Sequence, residues 1–401
     1  MFRVMFRFAG ALAGVIALGA AAYGQHVPPA GDEAWERRDP ASLGLDPEAL
    51  QSAIDLAIAH ETRHPPELEA VSPASDLSVT VPLNWAFEPF SSPIGPFKSR
   101  GPATGIILKD GYIVAEWGAP ERVDMTFSVT KTFLSHVVGL AIEDGLIESV
   151  DDPVSVSLDD PRFHTEHNAP ITWDQMLRQT SGWWGNLFGK PAWADRPSRE
   201  DPASDLVAGP PEPGAHWEYN DVRVNALALA ALHVFERPLP EVLRDRVMEP
   251  IGVTSDWVWH GYENSYVMIN GEEMQSVSGG GHWGGGMWLT AYDQARLGLL
   301  GARMGDWGGD QILAESWYER SLTPTGPFPS YGHMNFFLNR PDDERASIRV
   351  GTAPESAFAY LGAGSNMVFI SPDHDLVAVV RWIDGAQRNA FLEQLMAAVQ
   401  D

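Results

Sequence analysis

A serine and a lysine three residues apart are the side chains of this sequence best suited to chemistry. Ser128 and Lys131 stand where an apolar helix is predicted to begin. Residues three apart share one helix face, with Cβ atoms roughly 5–6 Å apart, so the amine can reach the hydroxyl. A serine nucleophile needs a neighbour that takes its proton. A helix start also offers unpaired N–H groups and the positive end of a dipole for an oxyanion.

The Ser-x-x-Lys spacing also occurs by chance, and most copies are solvated helix positions. Two features favour chemistry here. Lysine is rare in this chain, whose four lysines are Lys98, Lys109, Lys131 and Lys190. The pair also lies among apolar neighbours, namely Phe127, Phe133, Leu134, Val137 and Val138. Burial among such residues can strip a lysine of its charge, which a base requires.

The elements around this pair predict an α+β fold. A hairpin is predicted over 104–118 around an Asp-Gly turn, and strands over 367–370 and 376–380. Because strands lie at both ends without a βαβ rhythm, we expect one antiparallel sheet built from both chain ends. Helices are predicted over 46–60, 172–182, 221–235, 290–303 and 390–399.

The chain is predicted to divide into four parts. Residues 1–24 are typical of a signal peptide, with Arg3 and Arg7 before an apolar run. A membrane anchor is the alternative, and cleavage near Gln25 is favoured. Residues 25–42 are predicted to be a flexible lead-in. Residues 43–401 then form one domain, with an α/β part over about 43–135 and 287–401 and a mainly helical lobe over about 136–286.

Composition excludes several kinds of partner and site. The formal charge is −27, or −29 once Arg3 and Arg7 leave with the signal (−27 − 2). Such a field repels nucleic acid and anionic lipid, so neither is an expected partner. The mature chain is also expected to have no membrane span. The sequence has no cysteine, which excludes disulfides and thiolate metal sites. The lack of cysteine is compatible with an exported protein, either secreted or periplasmic.

Other chemical candidates are weaker. Tyr219 precedes a predicted helix and could carry a proton, or could simply cap the core. The glycine-rich stretch 278–286 lacks a phosphate-binding ending, so close backbone approach is the better interpretation. The loop 164–167 lacks metal-ligand spacing, and residues 373–375 are interpreted as a turn. A Ser-His-Asp triad stays open, although the chain has no Gly-x-Ser-x-Gly elbow.

Together these pieces resemble the β-lactamase-related serine hydrolases, over most of residues 43–398. That group includes class C β-lactamases, D-alanyl-D-alanine carboxypeptidases, 6-aminohexanoate-dimer hydrolases and esterases. Besides Ser128-Val129-Thr130-Lys131, three segments carry the resemblance: 171–182 ("ITxxxLLxxTSG"), 213–221 ("PG…Y-x-N") and 285–296 ("GGxxxTxxDxAR"). The resemblance implies a β-lactamase/penicillin-binding-protein-like fold and no metal or organic cofactor.

The family also implies a role for each matching residue. Ser128 would be acylated, Lys131 would share or accept its proton, and Tyr219 would relay a proton to the leaving group. The third motif, usually Lys/His-x-Gly, is matched by Tyr360-Leu361-Gly362. The N–H groups of Ser128 and Ala363 would then form the oxyanion hole.

Two departures from the family pattern bear on the substrate. Asp221 stands where an amide is usual, so it could pair with Lys131, keep the lysine charged and move the base role toward Tyr219. Tyr360 replaces a cation that holds a substrate carboxylate. Asp221, Tyr360 and Gly362 are therefore predicted substrate contacts. An aromatic cluster could line an acyl pocket or simply pack the core; it comprises Trp183, Trp184, Trp193 and Trp217.

The sequence thus predicts an exported serine hydrolase that cleaves a small-molecule ester or amide through an acyl-enzyme on Ser128. One alternative is a true β-lactamase or D-Ala-D-Ala carboxypeptidase. The other is a sensor or binding module that kept the fold and lost turnover. The oligomeric state stays open.

Overall fold

The two ends of the chain pair with each other in one antiparallel sheet, as predicted. The computed structural model describes residues 25–31, 34–67, 89–195, 202–340 and 348–400. The predicted signal segment 1–24 lies outside these residues. The strands are β1 (Thr104–Lys109), β2 (Tyr112–Trp117), β3 (Asp124–Met125), β4 (Asn186–Leu187), β5 (Lys190–Pro191), β6 (Val258–Ile269), β7 (Glu272–Val277), β8 (Gly286–Leu289), β9 (Asp306–Trp307), β10 (Asp310–Gln311), β11 (Phe336–Phe337), β12 (Phe358–Gly362), β13 (Asn366–Ser371) and β14 (Leu376–Arg381).

Helices occupy much of the middle of the chain and flank the sheet. They are α1 (Pro47–Ala59), α2 (Thr130–Glu143), α3 (Val154–Ser157), α4 (Trp173–Leu177), α5 (Pro202–Ala208), α6 (Asp221–Phe235), α7 (Leu239–Leu243), α8 (Ala291–Ala302), α9 (Glu315–Ser321) and α10 (Arg388–Ala397). The α+β class is therefore confirmed.

The main sheet has the order β11-β12-β13-β14-β1-β2 and is antiparallel throughout. Its chain-end pairing sets Ile106 opposite Val379. The β1–β2 turn has φ of 55° at Asp110 and 82° at Gly111, both in the left-handed region that such hairpin turns require. The sheet therefore closes where the sequence pattern predicts it.

Alternation along the strands divides the core into two layers. Tyr360 and Val379 face one apolar cluster, which also contains residues of α2, α6 and α8. Leu361 and Ala378 face the other, with residues of α1 and α10. Both faces of the sheet are thus covered by helices, and α2, which begins just after Ser128, is buried on the first face.

Side chains cap the starts of several of the predicted helices, including Thr172 and Gln175, which form a capping box at the start of α4. Asp46 caps α1 by accepting from the N–H of Glu48 at 2.8 Å. Thr290 and Asp293 form a capping box at the start of α8. The predicted helix 172–182 is shorter than expected. It ends at Leu177, and Gln179 follows with φ of 54°, a left-handed backbone that an α-helix cannot contain.

The described residues of the lead-in make contacts with the domain, and the flexibility of this segment stays a prediction. Trp35 is buried and donates from Nε1 to Gly111 O at 3.0 Å. Arg296 of α8 donates to Pro29 O at 2.6 Å and to Ile251 O at 2.8 Å. A buried guanidinium needs such carbonyl partners, and the lead-in supplies one of these two through Pro29.

A second sheet within and beside the predicted helical lobe was not expected. It has the order β3-β8-β6-β7, and β6–β7 is a long hairpin inside residues 136–286. Its β8 strand reaches β3 just before Ser128. Among the described residues, no helix combines the length and apolar character needed to cross a membrane.

Candidate active site

Ser128 lies in a single 3₁₀ turn, Phe127–Val129, that leads directly into α2. Ser128 is half-buried, whereas Phe127 is buried. Phe127 has φ of 50°, a left-handed conformation that costs a non-glycine residue energy. Its ring packs with Met125 and Trp382, and this burial holds the turn in place. Ser128 therefore stands at a fixed, strained corner.

Both sides of this corner are bound to Met287 of β8. Thr126 donates to Met287 O from its N–H at 3.0 Å and from Oγ1 at 2.8 Å. Met287 N–H donates to Thr130 Oγ1 at 2.9 Å. A Cβ on Gly280 would collide with Phe127 O, so the glycine-rich stretch approaches the corner closely, as predicted.

Lys131 contacts Ser128 directly. Its Nζ donates to Ser128 Oγ at 2.7 Å and to Gly279 O at 3.2 Å. The same Nζ lies 2.8 Å from Asp221 Oδ1, and these two side chains are 2% and 1% exposed. An opposite charge at this distance favours the ammonium form of lysine. The ion pair considered from the sequence is thus present.

Tyr219 lies against the same ammonium. The Lys131 Nζ is 5.0 Å from the centre of the Tyr219 ring. The Tyr219 side chain is half-buried. The centre of its ring lies 6.3 Å from the ring centre of Phe336 and 6.3 Å from that of Trp217. The structure therefore brings Ser128, Lys131, Tyr219 and Asp221 together.

Gln179 fixes the position of Tyr219 from both sides. Its backbone oxygen accepts from Glu218 N–H at 3.0 Å, and its side-chain oxygen accepts from Asn220 N–H at 2.7 Å. Asn220 in turn caps α6 by accepting from Arg223 N–H at 3.1 Å. Asp221 is thereby the first residue of a capped helix. The segment 171–182 thus acts as a support for the tyrosine loop.

The third motif lies beside the nucleophile through its glycine. A Cβ on Gly362 would collide with Thr126 O and would lie 3.2 Å from Ser128 N. Gly362 ends β12, and Ala363 begins the 3₁₀ turn that follows. The backbone of β12 and the N–H of Ser128 are therefore close neighbours. The oxyanion role of Ser128 and Ala363 stays a prediction.

Tyr360 is directed into the core rather than toward Ser128. It is 3% exposed, its hydroxyl would lie 2.6 Å from a Cβ on Gly301 of α8, and its ring contacts those of His136 and Phe358. Burial raises the pKa of Tyr360 far above its usual range. This placement argues against a direct substrate contact, although that role stays a prediction.

The predicted aromatic pocket is split. Trp183 is 1% exposed and packs on Phe163, which is core packing. Trp217 is half-buried, with Phe328 at 4.2 Å and Tyr331 at 5.5 Å, next to Tyr219. Trp193 contacts Phe90 instead. Trp217 is thus the member of the cluster that lies beside the candidate catalytic residues.

Two buried residues behind Lys131 were missed by sequence reasoning. His282 Nδ1 lies 3.2 Å from Asp221 Oδ2 and 3.5 Å from Asp195 Oδ1. Asp195 Oδ2 accepts from Asp221 N–H at 2.5 Å. His282 and Asp195 are 0% exposed. The only sequence signal was a histidine inside the glycine-rich stretch 278–286, between Gly281 and Trp283.

Asp195, Asp221 and His282 each offer a ligand atom within 4.8 Å of the others. Such a set could in principle hold a cation. However, the Lys131 ammonium already lies 2.8 Å from Asp221 and would repel a metal ion there. Charge balance by Lys131 fits these residues better than metal binding.

The remaining histidine and acidic candidates have structural partners. His164 and His167 each bring Nε2 to a backbone oxygen at 2.9 Å, those of Leu158 and Gly182. Asp375 ends the turn between β13 and β14 and pairs with Arg303 at 2.7 Å. These residues hold loops together, away from the Ser128 corner.

The sequence matches the family model described as Beta-lactamase over residues 106–389. The chain belongs to the β-lactamase family. The matched residues include the nucleophile corner, nearly all of both sheets and α8, so the fold and family expectations are confirmed. No curated protein sequence matches the chain.

Solved structures agree on the fold. A penicillin-binding protein homologue from Caulobacter crescentus is 15% identical with a TM-score of 0.54, over 89% of this chain and 99% of that one. A D-stereospecific amidohydrolase from Streptomyces is 17% identical with a TM-score of 0.51, over 87% and 98%. A β-lactamase from Mycobacterium bovis is 16% identical with a TM-score of 0.51, over 75% and 95%. These likenesses support the assignment of the fold.

Proposed function

We propose that this protein is a serine hydrolase that cleaves an ester or a small amide through an acyl-enzyme on Ser128. The observation that carries the proposal is the 2.7 Å contact between Lys131 Nζ and Ser128 Oγ at a helix start. A serine with an amine at this distance has the partner that nucleophilic catalysis requires. Its setting in a β-lactamase-family fold adds support.

The reaction would begin with loss of the Ser128 hydroxyl proton to the Lys131–Tyr219 pair. Oγ would attack the substrate carbonyl carbon, and the carbonyl oxygen would take up the negative charge. The N–H groups of Ser128 and Ala363 would stabilise that oxyanion. Tyr219 would then pass a proton to the departing alcohol or amine. Water would attack the acyl-enzyme in the second half, with the same groups taking its proton.

Lys131 acts in this scheme mainly as a positive charge. Its ion pair with Asp221, 2.8 Å away and buried, favours the ammonium. An ammonium donates to Ser128 Oγ and orients it. Its charge, 5.0 Å from the centre of the Tyr219 ring, also favours the deprotonated form of that phenol. The pair must lose one proton before it can accept that of Ser128. Tyr219 is therefore our candidate for the base.

Esters and small amides suit the site better than carboxylate-bearing β-lactams or D-Ala-D-Ala peptides. Tyr360 replaces the cation of the third motif, and its ring is buried against His136 and α8. The position therefore offers no positive charge to a substrate carboxylate. Trp217, half-buried beside Tyr219, offers an apolar surface to an acyl group.

Labelling with a fluorophosphonate, followed by intact-mass measurement and peptide mapping, tests the acyl-enzyme. We expect one adduct on Ser128 and none on Ser128→Ala. Turnover of nitrophenyl esters should exceed that of a chromogenic cephalosporin. An adduct on another residue would refute the nucleophile assignment, and faster cephalosporin turnover would favour the β-lactamase alternative.

A non-catalytic sensor is the second candidate, and the Lys131–Asp221 ion pair is the observation that favours it. A lysine held permanently as an ammonium could support acylation without deacylation. A labelled penicillin that forms a long-lived Ser128 adduct, together with no ester turnover, would select this alternative.

Export is part of the proposal. It is supported by Arg3 and Arg7 before the apolar run that ends near Gly24. Expression in a bacterial host, followed by fractionation and intact-mass measurement, should give a periplasmic chain that begins near Gln25. A full-length chain that stays with the membranes would favour the anchor alternative.

A further inference from the structure

The buried group behind Lys131 contains more negative than positive charge unless His282 is protonated. Two carboxylates, those of Asp195 and Asp221, face one ammonium and one imidazole. Asp195, Asp221, Lys131 and His282 are all between 0% and 2% exposed at their side chains. A net charge at such depth is costly, because burial removes the water that would solvate it.

The geometry directs one imidazole nitrogen at both carboxylates. His282 Nδ1 lies 3.2 Å from Asp221 Oδ2 and 3.5 Å from Asp195 Oδ1. Asp221 divides its two oxygens between two cationic candidates, with Oδ1 on Lys131 at 2.8 Å and Oδ2 on His282. Asp221 therefore links the histidine to the lysine that contacts Ser128.

The other titratable groups nearby leave the charge balance to Asp195, Asp221, Lys131 and His282. The ring of Trp283 packs at a tilt against His282, with ring centres 4.2 Å apart, and Lys190 Nζ lies 5.2 Å from the centre of the Trp283 ring. Burial lowers the pKa of Lys190 to about 8. Tyr262 is neutral, because burial, followed by the charges of Asp221 and Asp195, raises its pKa far above the usual range.

The glycine-rich stretch makes this arrangement possible. A Cβ on Gly281 would collide with Asp221 Oδ2, so the backbone that carries His282 reaches the carboxylate only through a glycine. Gly279 N–H is held by Asn225 Oδ1 at 2.8 Å, which fixes the stretch to α6. His282 is thus delivered to Asp221 on a rigid backbone.

We infer that His282 is a positioning residue that acts as an imidazolium between Asp195 and Asp221, so that its charge balances the second carboxylate and sets the pH at which the Lys131–Tyr219 pair can accept the Ser128 proton. This inference rests on the proposed function. It adds three residues, His282, Asp195 and Asp221, that act from behind Lys131. His282 and Asp195 need not touch the substrate; they act through Asp221.

Charge-paired variants test the inference through the pH dependence of kcat/KM for ester turnover. His282→Asn keeps a donor near the Nδ1 position and removes the positive charge. Asp195→Asn removes one negative charge and keeps the shape. The double variant removes one charge of each sign. Thermal unfolding of each variant checks that it folds.

The inference predicts a different shift of the acidic midpoint of the pH–rate profile for each variant. His282→Asn leaves excess negative charge, which opposes proton loss from the Lys131–Tyr219 pair, so the acidic midpoint should rise by about 1 pH unit or more. Asp195→Asn should lower it. The double variant should return close to wild type. If His282 is neutral in the native protein, His282→Asn will not shift the midpoint and the double variant will match Asp195→Asn; that pattern overturns the inference.

A measurement on the wild-type protein keeps the test independent of variant folding. In ¹⁵N-histidine-labelled protein at about pH 8, ordinary histidines are neutral, but one imidazole should still carry protons on both ring nitrogens. If no imidazole carries both protons at that pH, the inference is refuted. The fluorophosphonate label separates the two failures: an unlabelled Ser128 defeats the proposed function, whereas a labelled Ser128 without an imidazolium defeats only the role of His282.

Discussion

Lys131 Nζ lies 2.8 Å from Asp221 Oδ1, and both side chains are almost fully buried. The same nitrogen lies 2.7 Å from Ser128 Oγ. The Asp221 carboxylate therefore holds the Lys131 ammonium in one geometry, and the ammonium donates a hydrogen bond to the Ser128 hydroxyl. Removing one partner of a buried pair is costly, typically about 3–5 kcal/mol, because the other charge is left uncompensated.

Ser128→Ala should abolish ester turnover and leave the fold intact, because Ser128 is half-buried and its side chain is small. Hydrolysis of a nitrophenyl ester and thermal unfolding are the measurements. Ser52→Ala, on the exposed side of α1, is the matched control and should retain wild-type activity. Near wild-type turnover by Ser128→Ala would refute the nucleophile assignment.

Asp221→Asn should move the acidic limb of the pH–rate profile to lower pH. The change removes a negative charge 2.8 Å from Lys131, so the Lys131–Tyr219 pair loses its proton more easily. Because the buried ammonium loses its counter-charge, the variant should also unfold at a lower temperature. An unchanged profile would show that Asp221 lies outside the proton network.

Tyr219→Phe should lower kcat by roughly 10²- to 10⁴-fold, the usual contribution of a positioned proton carrier. Phenylalanine keeps the ring contacts with Trp217 and Phe336 and loses only the hydroxyl. Steady-state kinetics measure the effect. Tyr292→Phe is the control, since that hydroxyl bonds to Glu116 of β2, at a different site. Equal effects of both changes would contradict the assignment.

The sequence predicted the elements whose signals are local. The Asp110-Gly111 turn, the Asp46 cap and the Thr290 box are all formed by residues within a few positions of each other, and each element is present. The spacing of Ser128 and Lys131 is equally local, since one helix turn brings the two atoms together.

The parts that the sequence did not predict depend on contacts between distant residues. Asp195 and His282 lie 87 positions apart (282 − 195) and meet beside Asp221, the first residue of α6, which contacts both. The lead-in is held by Arg296, some 267 positions from Pro29. Tyr360 matched a motif, yet strand alternation turned its ring into the core.

Gly281→Ala should reduce ester turnover as strongly as the loss of Asp221, although alanine carries no chemistry. The added Cβ would collide with Asp221 Oδ2 and displace the carboxylate from both Lys131 and His282. Gly351→Ala is the matched control, because a Cβ there would meet no atom within 4 Å. Wild-type kcat/KM in Gly281→Ala would show that the position of Asp221 is unimportant.

Buried neutral histidines should make the protein less stable as the pH falls below 6.5. Burial alone lowers the pKa of His136 from 6.5 to about 4, and burial is the largest cause of the same shift at His64 and His333. Between pH 6.5 and 4 the unfolded chain therefore binds more protons than the folded one, and the free energy of unfolding falls with pH. Each such group contributes a slope of at most about 1.4 kcal/mol per pH unit.

Replacing His136 isolates one of these contributions. The His136 side chain is surrounded by Phe133, Tyr318 and Tyr360, so His136→Leu keeps an apolar side chain of similar size and removes the titrating group. Urea unfolding at pH 7 and at pH 5 should show a smaller loss of stability in the variant than in the wild type. A variant that loses as much stability as the wild type over this interval would show that His136 is not a source of the acid sensitivity. His60→Gln supplies the control, because it replaces an exposed histidine and leaves the buried histidines untouched.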